Sequence, residues 1–305
     1  MDFLVDLVYL WADGNEASFR IRRQKYIAEH SNMKINPTDE ANSLKRVMQF
    51  DEIKYSLRSA EKYMPWINHI YIVTDKQVPS FVNFKSKKIS LIDIKEIAPK
   101  GVKELYSSNA IESLIYKIPN LSEHFIMSND DFFVNKKISK DYFFTKEGKP
   151  IVYLRKYYSI NNNYSLQIFN AYSEIFKTYN SRSYWSYSHN MDPYLVSDFK
   201  KVSNSLYGNA LEATGHSGLR NNFEMNRYFI SLYSFSNGNT ILKKISAWKS
   251  LSTNLYCEYK TAWKVNIFKP FLFCLNAPAN FSNNIIERMK KFLEKKYPEK
   301  SSFEK

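Results

Sequence analysis

Hydrophobic positions along the first 145 residues change period several times, and each change marks an element. The run FLVDLVYLW, residues 3–11, is apolar and rich in β-formers. It stops at Asp13-Gly14, where a glycine can take the positive φ of a tight turn, and so predicts a strand. From Phe50 the apolar residues Phe50, Ile53, Leu57, Ala60 and Met64 recur at helical spacing until Pro65 ends the pattern, predicting an amphipathic helix. HIYIVTD (69–75) and KKISLIDI (87–94) predict two further strands. SNAIESLIYKI (108–118) predicts a helix capped by Ser108 or Asn109, and HFIMSNDD (124–131) opens a fourth strand. The order β, α, β, β, α, β predicts an α/β fold built on a mostly parallel, Rossmann-like sheet with helices on both faces.

Beyond residue 145 the pattern is less regular. The stretch around residues 156–190 is rich in Tyr, Asn and Ser, yet Leu166, Ile168, Phe169, Ile175 and Phe176 supply enough apolar surface for an ordered, helical region. Near the C-terminus, Ile285, Ile286, Met289, Phe292 and Leu293 fall on one face of a predicted helix with lysines on the other. Such a helix packs on its own domain or lies on a membrane surface. The expected organisation is residues 1–145 as the α/β region, 146–265 as the Tyr-rich region, and 266–305 as a segment packing back on the first.

Three of the predicted strands end on acids: Asp13, Asp75, and the adjacent pair Asp130 and Asp131. In parallel sheets, ligands bind beyond the carboxyl ends of the strands. Neighbouring carboxylates repel and raise each other's pKa, a cost that a bound divalent cation removes, and hard oxygen ligands of this kind suit Mg²⁺ or Mn²⁺.

Composition narrows the class. With 305 residues, 44% hydrophobic and 16% aromatic, the chain has the material for a packed core. Lys and Arg outnumber Asp and Glu by 44 to 30, a formal charge of +14 that attracts polyanions or anionic surfaces. Nucleic acid is not the expected partner: the aromatics are dispersed through strand and helix patterns, no nucleic-acid motif appears, and the three acidic strand ends would be unexplained. The N-terminus lacks a signal-peptide pattern, and no run approaches the eighteen or so apolar residues of a membrane span. Cys257 and Cys274 have no metal or disulfide spacing and read as packing residues. A cytoplasmic protein is expected.

The motifs resemble those of the Stealth family of sugar-phosphate transferases, which includes bacterial capsular polysaccharide phosphotransferases and the animal lysosomal-enzyme N-acetylglucosamine-1-phosphotransferase. DLVYLWADG is similar to the first family region. DEIKYSLRSAEKYMPWINHIYIVTD, continuing through SSNAIESLIYKIPNLSEHFIMSNDDFFV, is similar to the second. SHNMDPYLVSDFKK resembles the third and FCLNAPANFSNNIIERMKKFLEKK the fourth, although Ala277 stands where relatives carry an acid.

The resemblance implies a GT-A-like version of the predicted sheet and transfer of a hexose 1-phosphate, N-acetylhexosamine 1-phosphate above all, from a UDP-sugar to a glycan hydroxyl, releasing UMP. Residues 146–265 would then form the acceptor side, and the enzyme would work in the cytoplasm, at the inner face of an anionic membrane. Asp130 and Asp131 would hold the metal, oriented by Asn129. Asp13, Gly14, Arg58, Ser59 and Asp75 would shape the nucleotide-sugar pocket, with Asn109 reaching phosphate or sugar from its helix start. His189, in the third region, would be the general base, with His216 as rival. Arg220 would stabilise the transferred phosphate, with Arg227 as rival. The same parts also suit a metal-dependent glycosyltransferase that releases UDP.

Overall fold

Alternate residues of the first strand are buried on opposite faces of a sheet, because helices cover both sides, as a parallel sheet requires. The computed structural model describes residues 1–30, 42, 47–157, 163–176, 184–188, 191–246, 250–254, 258–276 and 283–305. Strands β1 (Val5–Leu10), β2 (Ile70–Thr74), β3 (Ile89–Asp93) and β4 (His124–Asn129) run parallel in the order β3-β2-β1-β4. Helix α1 (Ala17–Glu29) and α2 (Glu52–Tyr63) lie between β1 and β2. The short α3 (Ile94–Ile97) and α4 (Ser108–Leu114) lie between β3 and β4.

Val5, Leu7 and Tyr9 of β1 pack with Ile70 and Ile72 against Ile53, Leu57 and Ala60 of α2 and Met64 at its C-terminal cap. Ile53, Leu57, Ala60 and Met64 are four of the five helical-period positions of the sequence, all at or below 1% exposure, while the fifth, Phe50, lies before the helix and packs against Phe133 and Phe273. On the opposite face Val8, Val73, Phe125 and Met127 meet Ala110 and Leu114 of α4. The cap of α4 differs from expectation: Ser107, not Ser108 or Asn109, accepts from the Ala110 amide at 3.4 Å. Ser108 and Asn109 are thereby the first helical residues, with side chains turned elsewhere.

After β4 the chain enters a second sheet. Strand β5 (Phe132–Val134) is separated from β4 by Asp130 and Asp131 alone. Then follow β6 (Ile151–Tyr157), α5 (Asn163–Phe176), β7 (Tyr184–Tyr187), β8 (Asp192–Leu195), α6 (Val196–Ser203), α7 (Gly208–Gly215), α8 (Arg227–Ser236) and β9 (Ile241–Lys244). The chain continues through β10 (Ser250–Asn254), α9 (Glu258–Phe268), β11 (Leu272–Asn276) and α10 (Asn283–Lys296). Strand β8 adds to the main sheet antiparallel to β4, so residues from beyond position 145 complete the sheet begun before it. The region past residue 145 is therefore mixed rather than purely helical, with β7-β6-β9 forming a small sheet of its own.

Strand β11 pairs antiparallel with β5 and parallel with β10. Helix α10 covers that three-stranded sheet through Met289 and Leu293, with Ile285, Ile286 and Phe292 partly buried beside them against Phe133 and Phe273. Its apolar face is therefore occupied by the protein itself.

Candidate active site

A cleft of ≈ 230 Å³ opens where the parallel strands end, walled by Leu10 and Trp11 after β1, Val73 and Asp75 after β2, and Asn129, Asp130 and Asp131 after β4. Helix α1 contributes Phe19 and Arg23, the start of α4 contributes Tyr106 and Ser108, and the loop after α7 contributes Arg220. The site lies at the carboxyl edge of the sheet, as the topology dictates.

The acid pair is held from both sheets. The Asp131 carbonyl accepts from the Leu275 amide at 3.0 Å, and the Cys274 thiol donates to Asp131 Oδ2 at 3.2 Å. Cys274 thus does more than fill space in the core. Gln49 Nε2 donates to Asp130 Oδ2. Loss of hydration, followed by the charge of Asp131, pushes the Asp130 carboxyl up to about 7. Behind the pair, Glu52 is buried and accepts from the Phe50 amide at 2.8 Å. Burial first, then the charge of Asp130, raises its carboxyl well above the ordinary range.

No group of three or more metal-binding side chains gathers among the described residues. Two adjacent carboxylates at the cleft nevertheless fit Mg²⁺ or Mn²⁺, since Mg²⁺ is typically held by one or two carboxylates with water and substrate phosphates completing the shell.

Asp75 lines the cleft but is charge-balanced: Arg22 Nη2 lies 2.9 Å from its Oδ2. Asp13 is absent from the cleft wall. Its backbone exchanges two bonds with the buried Gln77, N–H to Oε1 and Nε2–H to O, both at 2.9 Å, and its carboxylate accepts from the Asn15 amide at 2.8 Å. Gly14 donates its N–H to the Val47 carbonyl at 2.6 Å, and a Cβ there would sit 2.7 Å from that oxygen. The Asp13-Gly14 turn therefore shapes the rim by packing rather than by presenting its carboxylate.

Arg58 and Ser59 correct the expectation that they reach the cleft. The Arg58 guanidinium points the other way, into Glu304, Glu294 and the Tyr297 carbonyl. Ser59 donates to the Ser56 carbonyl and accepts from the Val134 amide, joining α2 to β5. The Asn109 amide donates to Glu224 at 2.9 Å and to Gln167 at 3.2 Å, beneath the cleft rather than in it. The two rival arginines separate clearly. Arg220 lines the cleft with Nη2 donating to Ser108 Oγ, whereas Arg227 is buried between Asp192, at 3.1 Å, and Glu112, at 3.6 Å. His216 is exposed at the end of α7, its Nδ1 bonded to the Glu212 carbonyl at 2.8 Å. His189, Cys257 and Ala277 lie outside the described residues.

Residues 46–152 match the family model for Stealth protein CR2, conserved region 2. Over that segment the chain is similar to the Stealth family. It is 28% identical over 339 aligned positions to the exopolysaccharide phosphotransferase cps2G of Lactiplantibacillus plantarum, covering 99% of this chain and 97% of that protein. It is 26% identical to the capsular polysaccharide phosphotransferase fcs1 of Haemophilus influenzae, covering 93% and 81%. The match to the capsular polysaccharide phosphotransferase LcbA of Neisseria meningitidis is 38% identical but spans 48% of this chain and 39% of that protein. Among solved structures, the galactosyltransferase LgtC in complex with donor and acceptor sugar analogs aligns over 95% of both chains at 11% identity and a TM-score of 0.45, a level from which no shared chemistry follows.

The Stealth CR2 segment supplies Gln49, Glu52, Asp75, Tyr106, Ser108 and the acid pair, while Arg23 and Arg220 enter the cleft from outside it. Gln49, Glu52, Arg23 and Tyr106 went unmarked in the sequence. Glu52 in a first helical turn reads as a favourable dipole partner, and nothing local distinguishes Arg23 from Arg20 or Arg22.

Proposed function

We propose that this protein transfers a hexose 1-phosphate, N-acetylhexosamine 1-phosphate above all, from a UDP-sugar to a glycan hydroxyl of a capsular or cell-surface polysaccharide, releasing UMP. The observation that carries this reading is the pairing, across one cleft at the carboxyl edge of the sheet, of Asp130 and Asp131 with the guanidinium of Arg220. The relatives named as polysaccharide phosphotransferases support the reaction class.

In the proposed reaction the acceptor oxygen forms a bond to the β-phosphorus as the bond from that phosphorus to the UMP oxygen breaks, and the acceptor proton passes to a base. Such a transfer demands positioning and charge neutralisation more than covalent chemistry. Asp130 and Asp131 would hold Mg²⁺ or Mn²⁺, which neutralises diphosphate charge when bound. Arg220, steadied by Ser108, presents two N–H groups to oxygens of the transferred phosphate. His189 takes the proton in this reading, on the strength of its place in the third family region.

The site of action in this reading is the cytoplasmic face of the membrane, where UDP-sugars are made. Among the described residues no helix is long and apolar enough to cross a membrane. Peripheral contact is supported by Trp263 and Ile267, both 55% exposed one turn apart on α9, and by the lysines of α10. The test is to incubate the protein with Mg²⁺, UDP-N-acetylhexosamines and acceptor oligosaccharides and to identify the nucleotide released. UMP is expected; UDP would assign a glycosyltransferase instead.

A further inference from the structure

Two consecutive arginines of α1 have opposite surroundings. Arg22 is a quarter exposed and closes on Asp75 at 2.9 Å. Arg23 is 7% exposed and, among the described residues, faces no carboxylate. Its Nη2 donates to the Asn42 carbonyl, and its guanidinium carbon lies 5.9 Å from the centroid of the Tyr106 ring. That ring is fixed in turn, meeting Phe19 edge-on at 5.6 Å and donating its hydroxyl to Glu104 at 3.1 Å. Among the described residues, a neutral carbonyl and a ring face leave most of this buried guanidinium's charge uncompensated, and burying an unpaired ion is among the costliest arrangements in a protein. Burial also pulls its pKa below the ordinary arginine value, yet an arginine stays charged.

The position tells what relieves that cost. Arg23 and Tyr106 line the same cleft as Asp130, Asp131 and Arg220. We propose that Arg23 is a donor-binding residue whose guanidinium takes the phosphate oxygens of the nucleotide-sugar, with Tyr106 holding it in line. The assignment rests on the nucleotide-sugar reading given above. It divides the donor's negative charge between two arginines reaching the cleft from separate elements, Arg23 from α1 and Arg220 from the loop after α7. A planar fork suits two oxygens of one phosphate, which a lysine cannot match.

The test compares binding of UDP and of uridine by calorimetry, with the metal chelated, for the wild type, Arg23→Met, Arg23→Lys and Lys25→Met. Lys25 is the control, because it sits on the exposed side of α1 with a side chain 75% exposed and carries the same charge. Wild type and Lys25→Met should prefer UDP. Arg23→Met should lose roughly tenfold or more of that preference with uridine affinity unchanged, the size of a lost charge-assisted contact, and Arg23→Lys should retain part of it. Without ligand, Arg23→Met should melt no lower than wild type, since it removes an uncompensated buried charge. An Arg23→Met that keeps the full UDP preference while melting lower would make Arg23 a scaffold residue and overturn the assignment alone. A wild type that binds neither UDP nor uridine would instead remove the nucleotide-sugar reading, and this assignment with it.

Discussion

Arg58 and Glu304 meet as a two-point pair across 246 residues of chain, with Nε 2.7 Å from one carboxylate oxygen and Nη2 2.9 Å from the other. Both side chains are at most 4% exposed, and Nη1 also donates to the Tyr297 carbonyl at 2.7 Å. The pair fastens the final residues to α2 on the side of the helix away from the cleft. Arg58→Ala should therefore lower stability by about 3 kcal/mol, the scale of breaking a buried ion pair, while substrate affinity of the remaining folded protein is unchanged. Denaturant unfolding with parallel ligand titration checks both. Burial alone would raise the Glu304 carboxyl, but Arg58 holds it below its ordinary value of 4.5. The unfolded chain thus binds that proton first, so the pair's contribution is complete above about pH 4.5 and is lost as pH falls through the lower folded value.

The acid pair should behave in the opposite way. Asp130→Asn or Asp131→Asn should abolish turnover, because each removes a carboxylate from the proposed metal site, and excess EDTA should do the same to the wild type. Neither variant should melt lower than wild type, since each relieves repulsion between neighbouring acids. Full activity in EDTA would end the metal assignment.

The difference between these two sites shows what the sequence could carry. Helix α2 was legible because Ile53, Leu57, Ala60 and Met64 keep a 3.6-residue period, and the acid pair because it interrupts an apolar run. Helix α1 was not, since Arg23 takes one of its buried positions while Ile21 is 65% exposed, which erases the apolar stripe. Arg58 was misplaced for a different reason: its partners lie more than 230 residues away, and a helical arginine shows nothing of what it will face. The short strand β5 also hid, because FFV continues the composition of β4 but, past the two acids, belongs to another sheet.

His189 is assigned from its motif, so kinetics must carry its test. His189→Ala should depress the chemical step by roughly 10²-fold to 10⁴-fold, the usual share of a general base, with little change in donor affinity. Single-turnover rates of the wild type should fall as pH drops through the imidazole range, about 6.5, and the variant should lose that dependence. Near-normal turnover would remove the assignment.

Arg220 and Arg227 should give contrasting signatures although seven positions apart. Arg220→Ala takes a guanidinium from the cleft wall and should cut turnover at least tenfold with the fold intact, as the loss of a charge-assisted contact to phosphate predicts. Arg227→Met removes the one guanidinium that Asp192 and Glu112 share in the described structure, and breaking such a buried group costs about 3–5 kcal/mol. The pH dependence of that loss follows from the carboxyls. Burial pushes Asp192 up to about 7, against the pull of Arg227, so in the wild type it is protonated in the folded state between its unfolded value of 3.8 and 7. Folding binds that proton across this window, and stability falls as pH rises through it. In Arg227→Met the opposing pull is gone and the folded value climbs further, so the penalty continues above pH 7 where the wild type has levelled off. The stability deficit of the variant should thus widen between pH 7 and 9. A deficit that stayed constant across that range in urea unfolding would mean that Arg227 acts through packing and not through the charge of Asp192.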